Sequence, residues 1–262
     1  MSKFFVKSDK INNNEIVIDN EDVNHIKNVL RKNIGDNILI CDYEKRINYN
    51  CKIKEIAKQD IICEVVSSYE SENESNIKID IFQGLPKADK MELIIQKGTE
   101  LGVNSFIPVA FKRSVVKFDE KDKEKKLIRW QKISEVAAKQ CGRDIIPLIK
   151  NIENVKNICK LFENYDIVLV AYEAENKNIL KDALKSLKNI KERDIKIAVI
   201  IGPEGGIEES EIEIFKSAGA QIVTLGKRIL RTETVCLAIS AIINYELESW
   251  SLELFSNSKK GI

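Results

Sequence analysis

The sequence predicts an α/β protein whose mainly parallel sheet follows a smaller, antiparallel β-barrel domain. Over residues 77–248, apolar runs alternate with amphipathic helical segments, which is typical of a parallel sheet covered on both faces. Over residues 15–66, short β-like runs follow one another at the spacing of a small barrel. Residues 67–76, between them, are rich in Ser, Glu and Asn and lack apolar periodicity. We therefore read this stretch as a linker between domains at residues 1–70 and 77–250.

The smaller domain contains one predicted helix among its strands. The helix covers Asp22–Arg31, because the apolar residues of this segment recur at helical spacing. Gly35 and Asp36 then turn the chain into the next strand. Four strands are predicted, at Glu15–Ile18, Asn37–Cys41, Asn48–Ile56 and Ile61–Val66.

The larger domain is predicted to contain five strands, six helices and a disordered tail at Ser256–Ile262. The strands are Ile77–Phe82, Ser105–Phe111, Asp166–Ala171, Lys196–Ile201 and Gln221–Leu225. The helices are Asp89–Leu101, Lys121–Gln140, Val155–Phe162, Asn178–Leu187, Glu208–Ala218 and Thr232–Glu248.

The composition excludes several classes of protein. No apolar run reaches the ~20 residues of a membrane helix, and the N-terminus lacks the apolar stretch of an export signal. The six cysteines are scattered without a CxxC pair, which favours reduced thiols and a cytoplasmic location over zinc or disulfides. His25 is the only histidine, so a Ser-His-Asp triad or a His-rich metal site is hard to build, and no metal is predicted.

Charge is spread unevenly along the chain. The whole chain has a net charge of +1, whereas residues 81–150 carry 15 basic and 9 acidic groups. Such a segment suits a polyanion such as RNA, and the alternative is a solvated helix face.

Two loops stand at carboxyl ends of predicted strands, where open parallel sheets bind ligands. The first is Ile201–Gly206, whose glycines let a ligand approach bare backbone. The following helix opens with Glu208, Glu209 and Glu211, which suit its dipole but repel phosphate. We therefore expect a neutral or cationic small molecule, and the alternative is a tight strand–helix turn.

The second loop, Gly226–Thr234, combines three cations with the apolar pair Ile229-Leu230. Thr232 is predicted to cap the last helix and Glu233 to complement its dipole. An apolar pair among charges is unusual for a surface loop, so it is interpreted as one wall of a pocket. Helix capping with surface charge is the alternative. The cations are Lys227, Arg228 and Arg231.

A third set of candidates lies in the basic segment and suits phosphate contacts. Lys87 and Lys90 flank a strand–helix turn, whereas Arg113 and Lys117 follow the next strand. Arg143 follows the end of the long helix, where its alternative role is charge compensation.

Taken together, these segments resemble the ribosomal RNA small subunit methyltransferase E family. The resemblance spans nearly the whole chain, and the ordered set of motifs is far more specific than any single one. The matching segments are Gln96–Val103, Trp130–Ile133, Gln140–Arg143, Gly202–Gly206 and Leu225–Thr234, with His25–Arg31 in the smaller domain.

The resemblance implies a SPOUT-type knotted parallel sheet with an N-terminal PUA-like β-barrel. It also implies a homodimer that uses S-adenosylmethionine to methylate N3 of a uridine in 16S rRNA, with the cofactor held in a deep trefoil knot. The implied cofactor residues are Ala171, Tyr172, Glu173, Ile201, Gly202, Pro203, Gly205, Gly206, Leu225, Gly226, Ile229, Leu230 and Thr232.

The implied reaction narrows the catalytic candidates. Uridine N3 becomes a good nucleophile only when its proton leaves, so the site needs a base, a cation that stabilises the anion, or both. Glu204 or Glu233 can serve as the base. The alternative role for Glu204 is purely structural, namely to shape its loop. Arg231 is preferred over Arg143 as the cation, because its loop also shapes the cofactor pocket.

RNA is expected to bind the basic 81–150 surface and the smaller domain. The expected contacts are Arg31, Lys87, Lys90, Arg113, Gln140 and Arg143. Two other functions stay open, namely an RNA-binding module without catalysis and a ribose 2′-O-methyltransferase.

Overall fold

The computed structural model divides the chain into two compact units. The first unit comprises residues 1–74 with 132–147, and the second comprises 75–131 with 148–262. The main division therefore falls inside the predicted linker, but the first unit also takes in residues 132–147, which the sequence pattern places in the larger domain. The residues described are 3–19, 21–71, 74–116, 118–190 and 193–247.

The first unit is built on a six-stranded, mainly antiparallel sheet in the order β1-β4-β5-β6-β3-β2. Among the described residues of this sheet, only β1 and β4 pair in parallel, and the sequence pattern misses both β1 and the two-residue β2. β6 also runs further than predicted, because residues 67–70 of the expected linker pair with β5. The strands are β1 (Lys3–Val6), β2 (Ile11–Asn12), β3 (Glu15–Asp19), β4 (Asn37–Asp42), β5 (Ile47–Ile56) and β6 (Asp60–Glu70).

The predicted helix of this unit is shorter and partly irregular. Helix α1 covers Glu21–Asn24 and continues as a π-helical turn over His25–Val29. Val23 and Ile26 of the predicted stripe pack into the core of the sheet, whereas Val29 stays exposed. His25 is exposed, with its ring edge-on to Phe4 at 5.8 Å between centroids.

The second unit contains the predicted parallel sheet, in the order β10-β8-β7-β12-β11-β13, with β9 beside β8. Every pairing in it is parallel, which confirms the predicted fold class. β12 is nearly continuous in β-branched residues because it is buried on both faces. The strands are β7 (Ile77–Gly84), β8 (Val103–Ala110), β9 (Leu148–Ile149), β10 (Glu153–Asn154), β11 (Ile167–Ala171), β12 (Ile195–Ile201) and β13 (Gln221–Val223).

Helices connect these strands close to the predicted positions. α4 and α5 end earlier than predicted and are followed by 3₁₀ turns, at Phe162–Asn164 and Lys185–Leu187 respectively. The first part of α3, up to Gln131, belongs to the second unit and the rest to the first. The helices are α2 (Lys90–Glu100), α3 (Glu120–Cys141), α4 (Val155–Cys159), α5 (Leu180–Ala183), α6 (Glu209–Ser217) and α7 (Thr232–Leu247).

The cysteines are free thiols, and Cys141 is the exposed one among them. Burial raises the pKa of Cys51, Cys63 and Cys236 to about 12. Among the described residues, no helix combines the length and apolarity required to cross a bilayer. The predicted tail, Ser256–Ile262, lies outside the described residues.

Candidate active site

A cavity of about 380 Å³ lies at the carboxyl ends of β11, β12 and β13. Three loops line it, at residues 171–173, 201–206 and 224–232. Its volume falls in the roughly 300–1,000 Å³ range of small-molecule pockets. The structure thus brings together the two loops singled out by the sequence and the third one implied by the family resemblance.

The loop after β12 packs so tightly that glycine is required at several positions. A Cβ on Gly202 would lie 2.7 Å from the Ile207 side chain, and one on Gly206 would lie 2.6 Å from the Glu173 carboxylate. Gly206 also has a φ of 74°, which favours glycine. Gly205 differs, because its missing Cβ faces the Arg113 carbonyl at 2.9 Å and Gly205 is not among the cavity-lining residues. Gly205 therefore allows the loop to pack and does not expose backbone to a ligand.

Glu204 holds this loop to the turn between β7 and α2. Its carboxylate accepts hydrogen bonds from the Lys87 N–H at 3.0 Å and lies 3.0 Å from the Lys90 ammonium. Partial burial raises the pKa of Glu204, but hydrogen bonds from its own N–H, Lys90 and the Lys87 N–H outweigh burial and lower that pKa. A carboxylate with a lowered pKa is a weaker base. These contacts favour the loop-shaping alternative for Glu204.

The acidic start of α6 has a structural explanation. Glu208 and Glu211 form a reciprocal capping box at the helix N-terminus. Lys112 engages both of them, through its N–H to Glu211 at 2.9 Å and its ammonium to Glu208 at 3.0 Å. Neither carboxylate lines the cavity, so these two acids do not act on its ligand directly, although a neutral or cationic ligand remains the expectation for this loop. The acidic side chain beside Gly206 on the cavity wall is Glu173.

The loop after β13 carries the predicted cations on its exposed surface. Gly226 begins it with a φ of 115°, a conformation that other residues rarely adopt. Lys227, Arg228 and Arg231 are exposed, line the cavity and form no ion pair with another described residue. The apolar pair lines the cavity as predicted, although Ile229 remains 82% exposed. The rim of the cavity is therefore positively charged.

Thr232 begins α7, but its side chain does not cap the helix. The Thr232 hydroxyl donates to the Gly202 carbonyl at 2.7 Å and accepts from the Gln83 amide at 2.8 Å. The first helical hydrogen bond, from the Val235 N–H, goes to the carbonyl of Arg231. Arg231 consequently occupies the N-cap position predicted for Thr232.

Three of the predicted RNA contacts lie near the loop after β12. Lys90 lines the cavity and lies 3.4 Å from Glu233 as well as 3.0 Å from Glu204. Exposed Lys87 binds Glu204 through its N–H, and the exposed Arg113 guanidinium donates to the Gly205 carbonyl at 3.4 Å. Lys117 lies outside the described residues.

The remaining predicted contacts, Arg31, Gln140 and Arg143, belong to the first unit. Arg31 and Gln140 are exposed. Arg143 is only 8% exposed, and its guanidinium donates to the Glu74 carboxylate at 2.7 Å. A buried, paired guanidinium has no free face for a base or a phosphate, so the prediction that Arg143 contacts RNA conflicts with its position.

The predicted site is therefore largely assembled by the fold. Sequence reasoning missed the lining residues Thr224 and Val235 and the supporting residue Gln83. The predicted residues that line the cavity are Lys90, Ala171, Tyr172, Glu173, Ile201, Gly202, Pro203, Glu204, Gly206, Leu225, Gly226, Ile229, Leu230, Arg231 and Thr232. Across the described ranges, no cluster of three or more His, Cys, Asp or Glu side chains is suited to holding a metal ion.

Comparison with known proteins assigns both units to RNA methyltransferases. A family model described as an RNA methyltransferase domain matches residues 73–244, and one described as an RNA methyltransferase PUA domain matches residues 18–66. Ribosomal RNA small subunit methyltransferase E of Bacillus subtilis (strain 168) is 36% identical, over 95% of this chain and 98% of its own length. The protein of the same name from Mesomycoplasma hyopneumoniae (strain 232) is 32% identical, over 90% of this chain and 96% of its own length.

Solved structures agree with this assignment. A ribosomal RNA small subunit methyltransferase E from Neisseria gonorrhoeae, bound to S-adenosyl methionine, has a TM-score of 0.80 and 29% identity. The match covers 96% of this chain and all of that one. A putative methyltransferase from Legionella pneumophila in complex with SAM also has a TM-score of 0.80, at 26% identity, covering 93% and 96% of the two chains.

Proposed function

The chain belongs to the ribosomal RNA small subunit methyltransferase E family, and on that premise we propose that it methylates N3 of a uridine in 16S rRNA. The methyl donor is S-adenosylmethionine, which solved relatives bind. The observation that carries the proposal is the cavity at the carboxyl ends of β11, β12 and β13, lined by the family-like loops.

The residues around the cavity suit that donor. Ile201, Leu225, Leu230 and Val235 supply apolar walls. The backbone N–H groups of residues 227–231 donate to no other described residue, so they are available to polar atoms of a bound ligand. Apolar walls combined with a few polar groups that fix orientation are typical of small-molecule sites. Glu173 adds a negative charge that favours a sulfonium and an amino group.

Catalysis requires that the chain hold the uracil ring in line and stabilise its anion. S-adenosylmethionine, when bound, supplies a methyl group activated by the sulfonium. Arg231 is exposed at the cavity and free of ion pairs with described residues, so its guanidinium is available to hold the uracil oxygens as negative charge develops on them. Glu204 keeps its loop against Lys87 and Lys90. Glu233 lies at the same cluster and is the second candidate for proton acceptor.

RNA contacts are proposed for four cations and one glutamine, distributed over both units. Lys87, Lys90 and Arg113 surround the loop after β12, whereas Arg31 and Gln140 are exposed in the first unit. Phosphate contacts of this kind position an RNA without reading its sequence. We assign Arg143 to the buried ion pair with Glu74 and not to RNA.

We further propose that the protein is a homodimer, that its larger domain contains a trefoil knot and that it is located in the cytoplasm. Exposed apolar side chains support association, since Leu93 on α2 is 43% exposed and Tyr245 on α7 is 81% exposed. Light scattering on the purified protein tests the dimer, which predicts a mass of about twice the 29.9 kDa of one chain.

The activity is tested on 16S rRNA from cells that lack this protein. Free rRNA and assembled small subunits are each incubated with the purified protein and S-adenosylmethionine. The RNA is then digested to nucleosides, which are separated and identified by mass spectrometry. We expect a uridine that carries one extra methyl on its base. A methyl on the ribose, detected as resistance to alkaline cleavage, or RNA binding without methyl transfer would contradict the proposal and support one of the alternatives.

A further inference from the structure

Gln83 is a polar residue in an apolar position. It precedes the last residue of β7, a strand in the middle of the parallel sheet, and its side chain is completely buried. Burying an amide is costly unless it is hydrogen-bonded, so such a residue needs a structural or functional reason. Gln83 belongs to none of the motifs that carry the family resemblance.

The hydrogen bonds of Gln83 form a relay with a fixed direction. Its amide nitrogen donates to the Thr232 hydroxyl at 2.8 Å and to the Gly84 carbonyl at 3.0 Å. The Thr232 hydroxyl donates its single proton to the Gly202 carbonyl at 2.7 Å, so it must accept from Gln83. In the flipped amide orientation, the Gln83 oxygen would face the Gly84 carbonyl and two acceptors would repel each other.

The relay joins the two loops that form most of the cavity wall. Gly202 opens the loop after β12, whereas Thr232 closes the loop after β13. Residues 225–231 make few other polar contacts with the fold, and their opposite end is held at Thr224, whose N–H donates to the Asn178 carbonyl at 2.9 Å. The Thr232–Gly202 hydrogen bond joins the two loops where they meet, and the Gln83 amide holds the Thr232 hydroxyl in the orientation that makes this bond.

We propose that Gln83 is a positioning residue for S-adenosylmethionine, acting through Thr232 to hold the two cofactor loops at their bound spacing. This inference rests on the proposed function, because it concerns the affinity of that donor. A preorganised pocket binds more tightly because its loops need not be ordered when the ligand arrives. Loss of the relay should therefore raise the dissociation constant for the donor and its KM more than it lowers kcat.

The test compares two relay variants with a conservative one. Gln83→Leu and Thr232→Val remove the hydrogen bonds while keeping similar volumes, and Thr232→Ser keeps the hydroxyl. By calorimetry, we expect Gln83→Leu and Thr232→Val to bind S-adenosylmethionine about tenfold more weakly, whereas Thr232→Ser binds like the wild type. The KM for RNA and kcat at saturating donor should change less than about threefold.

Ser134→Ala is the matched control for a merely structural hydrogen bond. The Ser134 hydroxyl is buried and donates to the Pro147 carbonyl at 2.7 Å, in the first unit. Its loss should lower the melting temperature without changing donor affinity. If the relay variants behave like Ser134→Ala, the inference fails. If Gln83→Leu does not fold, Thr232→Val and Thr232→Ser decide the matter. A wild-type protein that does not bind the donor would instead overturn the proposed function.

Discussion

Two regions of this protein differ in whether their cations have carboxylate partners. At the rim of the cavity, Lys227, Arg228 and Arg231 are exposed and form no ion pair with another described residue. In the first unit, Lys3 and Arg143 are buried, and each pairs with a carboxylate. Both regions contain Lys and Arg. They differ because the fold places a carboxylate beside each of these two cations in the first unit, whereas no described carboxylate pairs with the three cations at the rim.

This contrast separates cations that are available to a ligand from cations that are committed to buried ion pairs. A buried charge must be neutralised by a partner, and that partner then occupies the groups that would contact RNA. Asp144 illustrates the structural case, since it is completely buried and accepts hydrogen bonds from Lys3 and Ser71. An exposed cation without a partner costs little in water and keeps its donors for a ligand. Under the proposed function, exposure and the lack of an ion pair, rather than charge alone, identify the candidate RNA contacts.

Removal of the Arg143 side chain gives the largest expected effect on stability. Arg143→Ala leaves the Glu74 carboxylate, only 8% exposed, without its guanidinium, and breaking such a buried pair costs about 3–5 kcal/mol. Urea unfolding measures this loss. Glu74→Ala/Arg143→Ala should be less destabilised than the sum of the single variants. A stable Arg143→Ala protein with weakened RNA binding would place Arg143 among the ligand-binding cations after all.

Replacement of Arg231 tests the unpaired cations at the rim of the cavity, and the quantity measured is catalytic activity. Arg231→Ala should lower kcat about 100-fold, the usual cost of removing one donor to a developing anion. Donor affinity by calorimetry and the melting temperature should stay near wild type. Arg129→Ala is the control, because this exposed arginine pairs with Glu92 away from the cavity and should keep full activity. Equal activity of the two variants would remove Arg231 from the mechanism.

Glu204 should give a smaller effect that depends on pH. Its pKa is lower in the folded protein than the ordinary 4.5, so its ionised form adds stability above that pH, and this contribution is lost as the pH falls through the lowered pKa. Glu204→Gln should cost about 1 kcal/mol at pH 7 and progressively less below pH 4.5. Thermal unfolding across pH 3–8 compares the two proteins. A constant difference at every pH would show that the Glu204 charge plays no part.

The smallest expected effect is that of Lys227. Lys227→Ala should weaken RNA binding equally for different sequences and reduce the salt dependence of the binding constant by about one unit of slope. Filter binding at several salt concentrations measures this slope. Lys97→Ala, which breaks an exposed pair with Glu100 on α2, should leave the slope unchanged. Identical slopes for the wild type and Lys227→Ala would exclude Lys227 from the RNA contact.

The sequence predicts five of the seven described strands of the parallel sheet, because these five are apolar runs, and misses the two-residue strands β9 and β10. β12 is predicted within one residue of its observed start. β1 is missed because it has only four residues and is held by parallel pairing with β4, a contact that local patterns do not encode. The end of β6 is missed for a similar reason, since backbone pairing with β5 extends this strand through polar residues.

The sequence predicts which loops line the cavity. It does not predict the hydrogen bonds and ion pairs that side chains form with residues distant in the sequence. Strand ends and glycines place the cavity loops correctly, because ligands bind at that edge of a parallel sheet. The pairing of Arg143 with Glu74 could not be predicted, because their 69-residue separation is closed only by the fold. Gln83 was missed because a single polar residue in a strand gives no local signal of what it contacts.

The cysteine arrangement offers a practical route to these measurements. Cys51, Cys63 and Cys236 are buried and, with a pKa of about 12, stay protonated and unreactive at neutral pH. Cys141, by contrast, is exposed at the end of α3, so it is the thiol that a maleimide dye reaches most readily. The natural sequence therefore provides a preferred attachment point for a fluorophore in the first unit, from which RNA docking can be followed without engineering a new cysteine.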